Sequence, residues 1–109
     1  MSERIKKNLA LLELLNSVSK SQLKSILAGL SNEQVKVITE LIFNVQYGTI
    51  EIPEDKSSYV RNKRFVIRQI TSKEETYKTR KALILKHSIL ISSILKFSLP
   101  QIKRITDGE

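Results

Sequence analysis

The sequence predicts an all-α fold, a compact single domain of four to six short helices covering residues 1–109. Three observations support this prediction. A chain of 109 residues can form one compact domain but not two. Apolar residues recur at helical spacings along most of the chain. Several apolar stretches follow a Ser-x-x-Gln or Ser-x-x-Glu pair, which is the spacing of a helix capping box.

The N-terminal third predicts two helices. A leucine-rich stripe that begins at Ile5 indicates helix one over residues 3–16. Ser19 and Gln22 then have the spacing of a capping box, in which each side chain binds the other residue's free backbone N–H. We expect Gly29 to end helix two in the left-handed conformation.

The strongest helical signal is helix three. Ser31 and Gln34 repeat the capping spacing ahead of "VKVITELIFNVQY", and Gly48 supplies the end. The β-branched residues of "VKVIT" leave a strand open, but the length of the apolar stripe and the caps favour a helix.

After an extended connection, "GTIEIPED", Pro53 is expected to open helix four. This helix contains "YVRNKRFVIRQI", residues 59–70, which is amphipathic at 100° per residue. Its apolar face is formed by Tyr59, Val66, Ile67 and Ile70, and its basic face by Arg61, Arg64 and Arg68. Lys63 falls toward the apolar face, from which its charged end is expected to extend into water.

Ser72 and Glu75 predict a third capping box, at the start of helix five. An apolar C-terminal helix is predicted at about 82–99, either continuing helix five or following it. Pro100 is expected to end or kink that helix, and the tail 104–109 is expected to fray.

Composition excludes several classes of protein. The chain is 40% hydrophobic and 28% charged, which is typical of folded domains. It has no cysteine, so it has neither disulfides nor zinc–thiolate sites. Glu13 interrupts the first apolar run, which argues against a signal peptide and favours an intracellular protein. Lys86, His87 and Lys96 divide the C-terminal apolar stretch, so a membrane span is the less favoured alternative.

The charge is unevenly distributed. Residues 1–55 hold six Lys/Arg and seven Asp/Glu, a net charge of −1, whereas residues 56–109 hold thirteen and four, a net charge of +9. Between Lys56 and Arg104 the only acids are Glu74 and Glu75. This asymmetry points to a polyanion or an anionic surface as partner.

Signals for catalysis, metal binding or cofactor binding are weak. His87 is the sole histidine and has no neighbouring cysteine or histidine with which to bind a metal. The three glycines are not grouped, so no phosphate-binding loop is expected. We therefore predict a non-enzymatic protein without metal or cofactor.

Basic residues are the main functional signal. Arginine guanidinium groups match phosphate oxygens, and such binding releases counterions, so we expect salt-dependent, sequence-independent binding of nucleic acid, most readily DNA. A solvated charged face is the competing interpretation. Phe65 is expected to pack at the rim or in the core, with stacking on a base as the alternative. The predicted nucleic-acid contacts are Arg61, Arg64, Arg68, Lys78, Arg80 and Lys81.

The apolar C-terminal helix has two interpretations. It closes the core, or it forms an interface with another copy of the chain, a capsid protein or a host protein. Contact with a membrane is a third, less favoured interpretation. The candidate interaction residues are Ile89, Leu90, Ile94 and Phe97.

Over about residues 7 to 102 the chain resembles a small basic protein family of Polinton/Maverick elements and adintoviruses. The resemblance rests on "KNLALLELL", "LIFNVQYGTIEI", the basic "YVRNKRFVIRQI", and "TRKALIL" followed by an apolar stretch that reaches Pro100. Members commonly carry Gly-Gly before this apolar stretch, where this chain has His87-Ser88.

This family is likened to small basic adenoviral core proteins. The resemblance therefore implies a viral or transposon-derived protein that packages or condenses DNA, located in the virion or the host-cell nucleus. It implies no catalytic residue.

Overall fold

In the computed structural model, which describes residues 1–109, the chain is helical throughout and has no strand. The all-α prediction is confirmed, but there are eight α-helices where four to six were predicted. The helices are α1 Glu3–Lys7, α2 Leu9–Ser17, α3 Lys20–Ala28, α4 Asn32–Gln46, α5 Ser57–Asn62, α6 Arg64–Thr71, α7 Tyr77–Lys86 and α8 Ser88–Asp107. A single 3₁₀ turn, Glu54–Lys56, precedes α5.

The larger number of helices arises from single-residue breaks. Asn8 divides predicted helix one, Lys63 divides predicted helix four, and His87 separates α7 from α8. Their φ/ψ values are −116°/21°, −99°/11° and −108°/40°. These angles approach the sparsely populated region beside the helical one, so the chain changes direction without an intervening loop. At His87 the two helix axes differ by 84°.

The predicted helix starts at Ser19 and Ser31 are confirmed. Each serine side chain accepts a hydrogen bond from the backbone N–H three residues later, and the side-chain oxygen of the glutamine there accepts one from the serine N–H. Gly48, just after α4, has φ 82° and adopts the predicted left-handed conformation. The same prediction is wrong for Gly29, whose φ is −104°.

The predicted capping box of Ser72 and Glu75 is wrong. Ser72 Oγ accepts a hydrogen bond from the Glu74 N–H, within the connection, and the helix begins four residues further on. Thr76 is the actual N-cap of α7, and its hydroxyl accepts a hydrogen bond from the Thr79 N–H at 3.2 Å. Both positions offer a hydroxyl, so the spacing alone did not distinguish them.

α8 lies at the centre of the core. It packs against α2, α3, α4 and α7, and it buries six apolar side chains. They belong to a cluster of 23 buried apolar residues that extends from Ile5 to Ile102. At about 25 cal/mol per Å² of apolar surface, burial on this scale is the main source of stability for a chain without disulfides.

The C-terminal helix predicted at about 82–99 is divided at His87, and its second part extends beyond the predicted end. α8 begins at Ser88 and continues through Pro100 to Asp107. Pro100 is exposed and removes one helical hydrogen bond, while Leu99 and Ile102 on either side are buried and hold the helix in place. Residues 104–107, which were expected to fray, continue α8, and Glu109 pairs with Lys6 of α1.

The connection between α4 and α5, predicted to be extended, has turns and bends over residues 47–50 and no regular secondary structure over residues 51–53. Ile50 is fully buried and anchors it to the core. Next to it, the Glu51 N–H donates to Gln101 Oε1, and Gln101 Nε2 donates to the Glu51 carbonyl, both at 2.8 Å. One side-chain amide on α8 thus satisfies both backbone groups of Glu51.

Ion pairs concentrate at the ends of α1 and α8. Arg4 pairs with Glu33, Nε to Oε1 at 2.7 Å, and also with Glu40. Lys103 of α8 pairs with Glu13 of α2 at 3.0 Å. Apart from Glu109, the paired acids belong to the N-terminal half, and none of the ion pairs involves a base of α5, α6 or α7.

Replacing the true N-cap should destabilise the fold more than replacing the predicted one. Thr76→Ala removes the acceptor for the Thr79 N–H, which typically reduces stability by about 1 kcal/mol. Ser72→Ala removes only a weak contact with Glu74, at 3.3 Å, so its effect should be smaller. Urea unfolding of both variants measures the difference, and equal effects would contradict the assignment of Thr76 as the cap.

The Arg4–Glu33 pair predicts loss of stability in acid. The hydrogen bond from Arg4 lowers the pKa of Glu33 below its usual 4.5 in the folded chain. Because the folded-state pKa is lowered, the contribution is complete above pH 4.5 and is lost as the pH falls through the folded-state value.

Urea unfolding from pH 7 to pH 3 should show a smaller loss of stability in Glu33→Gln than in the parent chain. Glu54→Gln, at an exposed carboxylate without an ion pair, is the matched control and should follow the parent chain. Identical pH profiles for Glu33→Gln and the parent would contradict the role of this pair.

Candidate nucleic-acid interface

Three of the predicted contacts lie around one groove. Arg61 on α5 and Arg64 and Arg68 on α6 line a surface depression of about 390 Å³. We call it the arginine groove. Although Lys63 breaks the predicted helix between Arg61 and Arg64, the three side chains still reach the same depression. Its remaining lining residues are Val45, Gln46, Ile52, Ser57, Val60 and Ile67, none of which is acidic.

The walls of the arginine groove are held by packing and by one hydrogen bond between helices. Val60 and Ile67 are buried, each about 5% exposed, so α5 and α6 are anchored beneath the arginines. The Thr71 hydroxyl donates to Gln46 Oε1 at 2.9 Å, which joins the C-terminal ends of α6 and α4. The arginines therefore project from a fixed apolar base.

The three arginines are exposed and none pairs with an acid. Arg64 Nη1 donates to the Arg61 backbone carbonyl at 3.2 Å, at the C-terminal end of α5. The side chains of Arg61 and Arg68 make no hydrogen bond or ion pair within the chain. Their guanidinium donors are thus available to an external anion.

Phe65 was expected to pack at the rim or in the core, and this expectation is wrong. Its side chain is 66% exposed. The guanidinium carbons of Arg64 and Arg68 lie 4.8 and 5.9 Å from its ring centroid, so both cations contact the ring. An exposed aromatic ring beside two arginines is a surface on which a nucleobase can stack.

The three bases of the second predicted cluster, on α7, differ in their exposure and contacts. Lys78 is exposed. Arg80 is half-buried, donates from Nη2 to the Ser72 carbonyl, and has a buried Nε without a partner, so it holds the connection before α7. Lys81 is half-buried with its Nζ 3.5 Å from the Tyr77 hydroxyl. Of these three side chains, Lys78 is the one that is free for an external anion.

The candidate interaction residues of the C-terminal helix also differ in burial. Leu90 and Ile94 are 1% and 0% exposed and belong to the core, and Phe97 packs partly against it. Ile89 alone is exposed, at 65%. The interpretation in which this helix closes the core therefore holds for Leu90 and Ile94, which a partner does not reach while the fold is intact.

A second basic depression lies between α3 and α8. The pattern of basic residues in the sequence did not predict it. It has a volume of about 260 Å³. We call it the lysine groove. The residues come from three distant parts of the chain, and no local pattern in the sequence brings them together. Its lining is Lys20, Leu23, Lys24, Lys56, Ser88, Ile89, Ser92, Ser93 and Lys96.

His87 lies beside the lysine groove. It lines an adjoining depression of about 280 Å³ together with Lys63 and Lys86. Burial lowers the pKa of His87 below its usual 6.5, and the positive charges of those two lysines lower it further. No group of three or more His, Cys, Asp or Glu side chains lies close enough to hold a metal ion.

Taken singly, no helix has both the length and the hydropathy of a membrane span. α7 and α8 reach these values only as a pair, and the 84° bend separates them.

No protein-family model, curated protein or solved structure matches the chain.

A matched pair of variants on α8 distinguishes core from surface. Ile94→Ala should reduce stability by about 2–5 kcal/mol, because it leaves a cavity at a side chain with 0% exposure. Ile89→Ala removes an exposed side chain and should change stability by about 0.5 kcal/mol or less. Urea unfolding gives both values. A small effect at Ile94 together with a large effect at Ile89 would contradict this placement.

Proposed function

We propose that this chain is a non-enzymatic, DNA-associated protein that binds the phosphate backbone without sequence preference. The observation that carries the proposal is the arginine groove, where Arg61, Arg64 and Arg68 converge and no acid is present. An ordinary solvated basic surface is expected to have acids interspersed among its bases. Here the acids that form ion pairs lie elsewhere, and the three arginines remain unneutralised.

The chemistry of the groove suits phosphate more than it suits reading base edges. Guanidinium groups bind phosphate oxygens through paired, charge-assisted hydrogen bonds. Base-specific contacts in a DNA groove typically come from side chains presented by an inserted helix or ribbon. α5 and α6 have six and eight residues and are anchored along their apolar faces, so they are poorly suited to entering a groove. Sequence-independent binding follows from this arrangement.

Phe65 extends the proposal to unpaired nucleotides. The ring is exposed between two arginines, so a base that stacks on it would have its phosphates within reach of guanidinium groups. Stacking tolerates every base, because each base has an aromatic face. Flexible or partly melted DNA is therefore expected to bind in addition to duplex.

The resemblance to the Polinton/Maverick and adintovirus family supports the biological setting. It suggests a role in packaging or condensing a viral or transposon genome, in the virion or the host-cell nucleus. A net charge of +8 attracts the chain to DNA over long distances, and this attraction weakens as salt screens it.

Neutralising the arginine groove should weaken DNA binding and its salt dependence. In the variant Arg61→Gln/Arg64→Gln/Arg68→Gln, each lost phosphate contact should reduce the slope of log K against log salt by about 0.9 for duplex DNA. The measurement is fluorescence anisotropy with a labelled duplex of mixed sequence at several salt concentrations. A scrambled duplex should bind with the same affinity as the first.

The control removes the same amount of charge elsewhere. Lys7→Gln/Lys36→Gln/Arg104→Gln changes three exposed bases that line none of the surface depressions. It should retain most of the affinity and of the salt slope. If both triple variants lose affinity equally, net charge rather than the arginine groove accounts for binding, and the assignment of this groove is wrong.

A further inference from the structure

The lysine groove has the composition of a built anion site. Four exposed lysines surround it, two from α3, one from the 3₁₀ turn and one from α8, and no acid lines it. None of the four forms an ion pair. It shares no lining residue with the arginine groove. These lysines are Lys20, Lys24, Lys56 and Lys96.

Serine hydroxyls on α8 face this groove without partners. Ser88, Ser92 and Ser93 line it, and none of their hydroxyls forms a hydrogen bond within the chain. Ser88 is the most informative, since it is 6% exposed and also lines the adjoining depression. The Ser88 Oγ is not among the fully buried polar atoms, so this unpaired hydroxyl is accessible from the groove and can donate to an anion bound there.

The N-terminus of α8 adds to the attraction for an anion. α8 has 20 residues, and its first residue is Ser88. His87 occupies the N-cap position but makes no side-chain capping hydrogen bond. The positive end of the helix dipole therefore lies at the groove without a side chain to neutralise it.

We infer that the lysine groove binds a compact anion carrying two adjacent phosphate groups. One phosphate monoester carries a charge of about −1.5 to −2 at pH 7, so two phosphate groups roughly balance four lysines. A volume of about 260 Å³ is large enough for such a group. Ser88 would donate its free hydroxyl to a phosphate oxygen, and the lysines would surround the remaining charge.

Inorganic pyrophosphate is the probe, titrated calorimetrically into the full chain at two salt concentrations. We expect saturable binding at a single site. Lys24→Gln/Lys96→Gln should weaken it roughly tenfold, because two charge-assisted contacts are lost. Lys7→Gln/Lys36→Gln removes the same charge outside the groove and should leave the pyrophosphate affinity within about twofold of the parent chain's.

Ser88→Ala provides a readout that net charge does not affect. The Ser88 hydroxyl makes no hydrogen bond in the fold, so its loss should leave the thermal midpoint unchanged or slightly raised. Pyrophosphate affinity should nevertheless fall severalfold. Unchanged affinity in Ser88→Ala would overturn the inference, as would equal weakening by the two double-lysine variants or the absence of saturable heat in the parent chain.

The arginine triple variant separates this inference from the proposed function. Arg61→Gln/Arg64→Gln/Arg68→Gln should keep pyrophosphate binding, whereas Lys24→Gln/Lys96→Gln should keep most of the affinity for duplex DNA. Loss of pyrophosphate binding in the arginine variant would overturn the independence of the two grooves. Failure of DNA binding in the parent chain would leave the pyrophosphate result standing.

The same chemistry is available from a free polyphosphate or from a lipid headgroup. Co-sedimentation with vesicles that carry phosphatidylinositol bisphosphate distinguishes them, with phosphatidylserine vesicles of equal charge as the control. Retention on the bisphosphate vesicles alone, lost in Ser88→Ala, would support the inference and assign it to a headgroup. No retention, with pyrophosphate still bound, would support it for a soluble anion.

Discussion

Burial of α8 is the constraint on which the rest of the structure depends. A chain of this length buries a smaller share of its surface than a large domain does, and it has no disulfide to add stability. One long helix therefore passes through the centre, where α2, α3, α4 and α7 pack around it. Residues toward both ends of α8 also help to form surface features of the protein. Its N-terminus lies at the lysine groove, and Gln101 fixes the connection that leads to the arginine groove.

The distribution of acids explains why the basic surface stays unneutralised. Most of the paired carboxylates, including Glu33, Glu40 and Glu13, belong to the N-terminal half and contact Arg4 or Lys103. They are placed there by the packing of α1 on α4 and of α2 on α8. The bases of α5 and α6 have no acid within ion-pairing distance. The excess of positive charge in the second half of the sequence is therefore not cancelled by ion pairs at the arginines of α5 and α6.

Local chemistry was predictable from the sequence, and long-range geometry was not. The capping boxes at Ser19 and Ser31 depend on residues three apart, so their spacing predicts them correctly. The breaks at Asn8, Lys63 and His87 have no glycine or proline to indicate them, and the packing of the flanking helices determines their angles. The arginine periodicity survives the break at Lys63. The lysine groove was missed because α3, the 3₁₀ turn and α8 meet only in the folded chain.

Gln101 has a consequence for association between copies of the chain. Glu51 lies in a connection without regular secondary structure, and a segment with free backbone N–H and C=O groups can pair with a strand of another molecule. The Gln101 amide occupies both the donor and the acceptor of Glu51 from within the same chain. It acts as an internal substitute for a neighbouring strand, so these two backbone groups are not open to edge-to-edge pairing with another molecule.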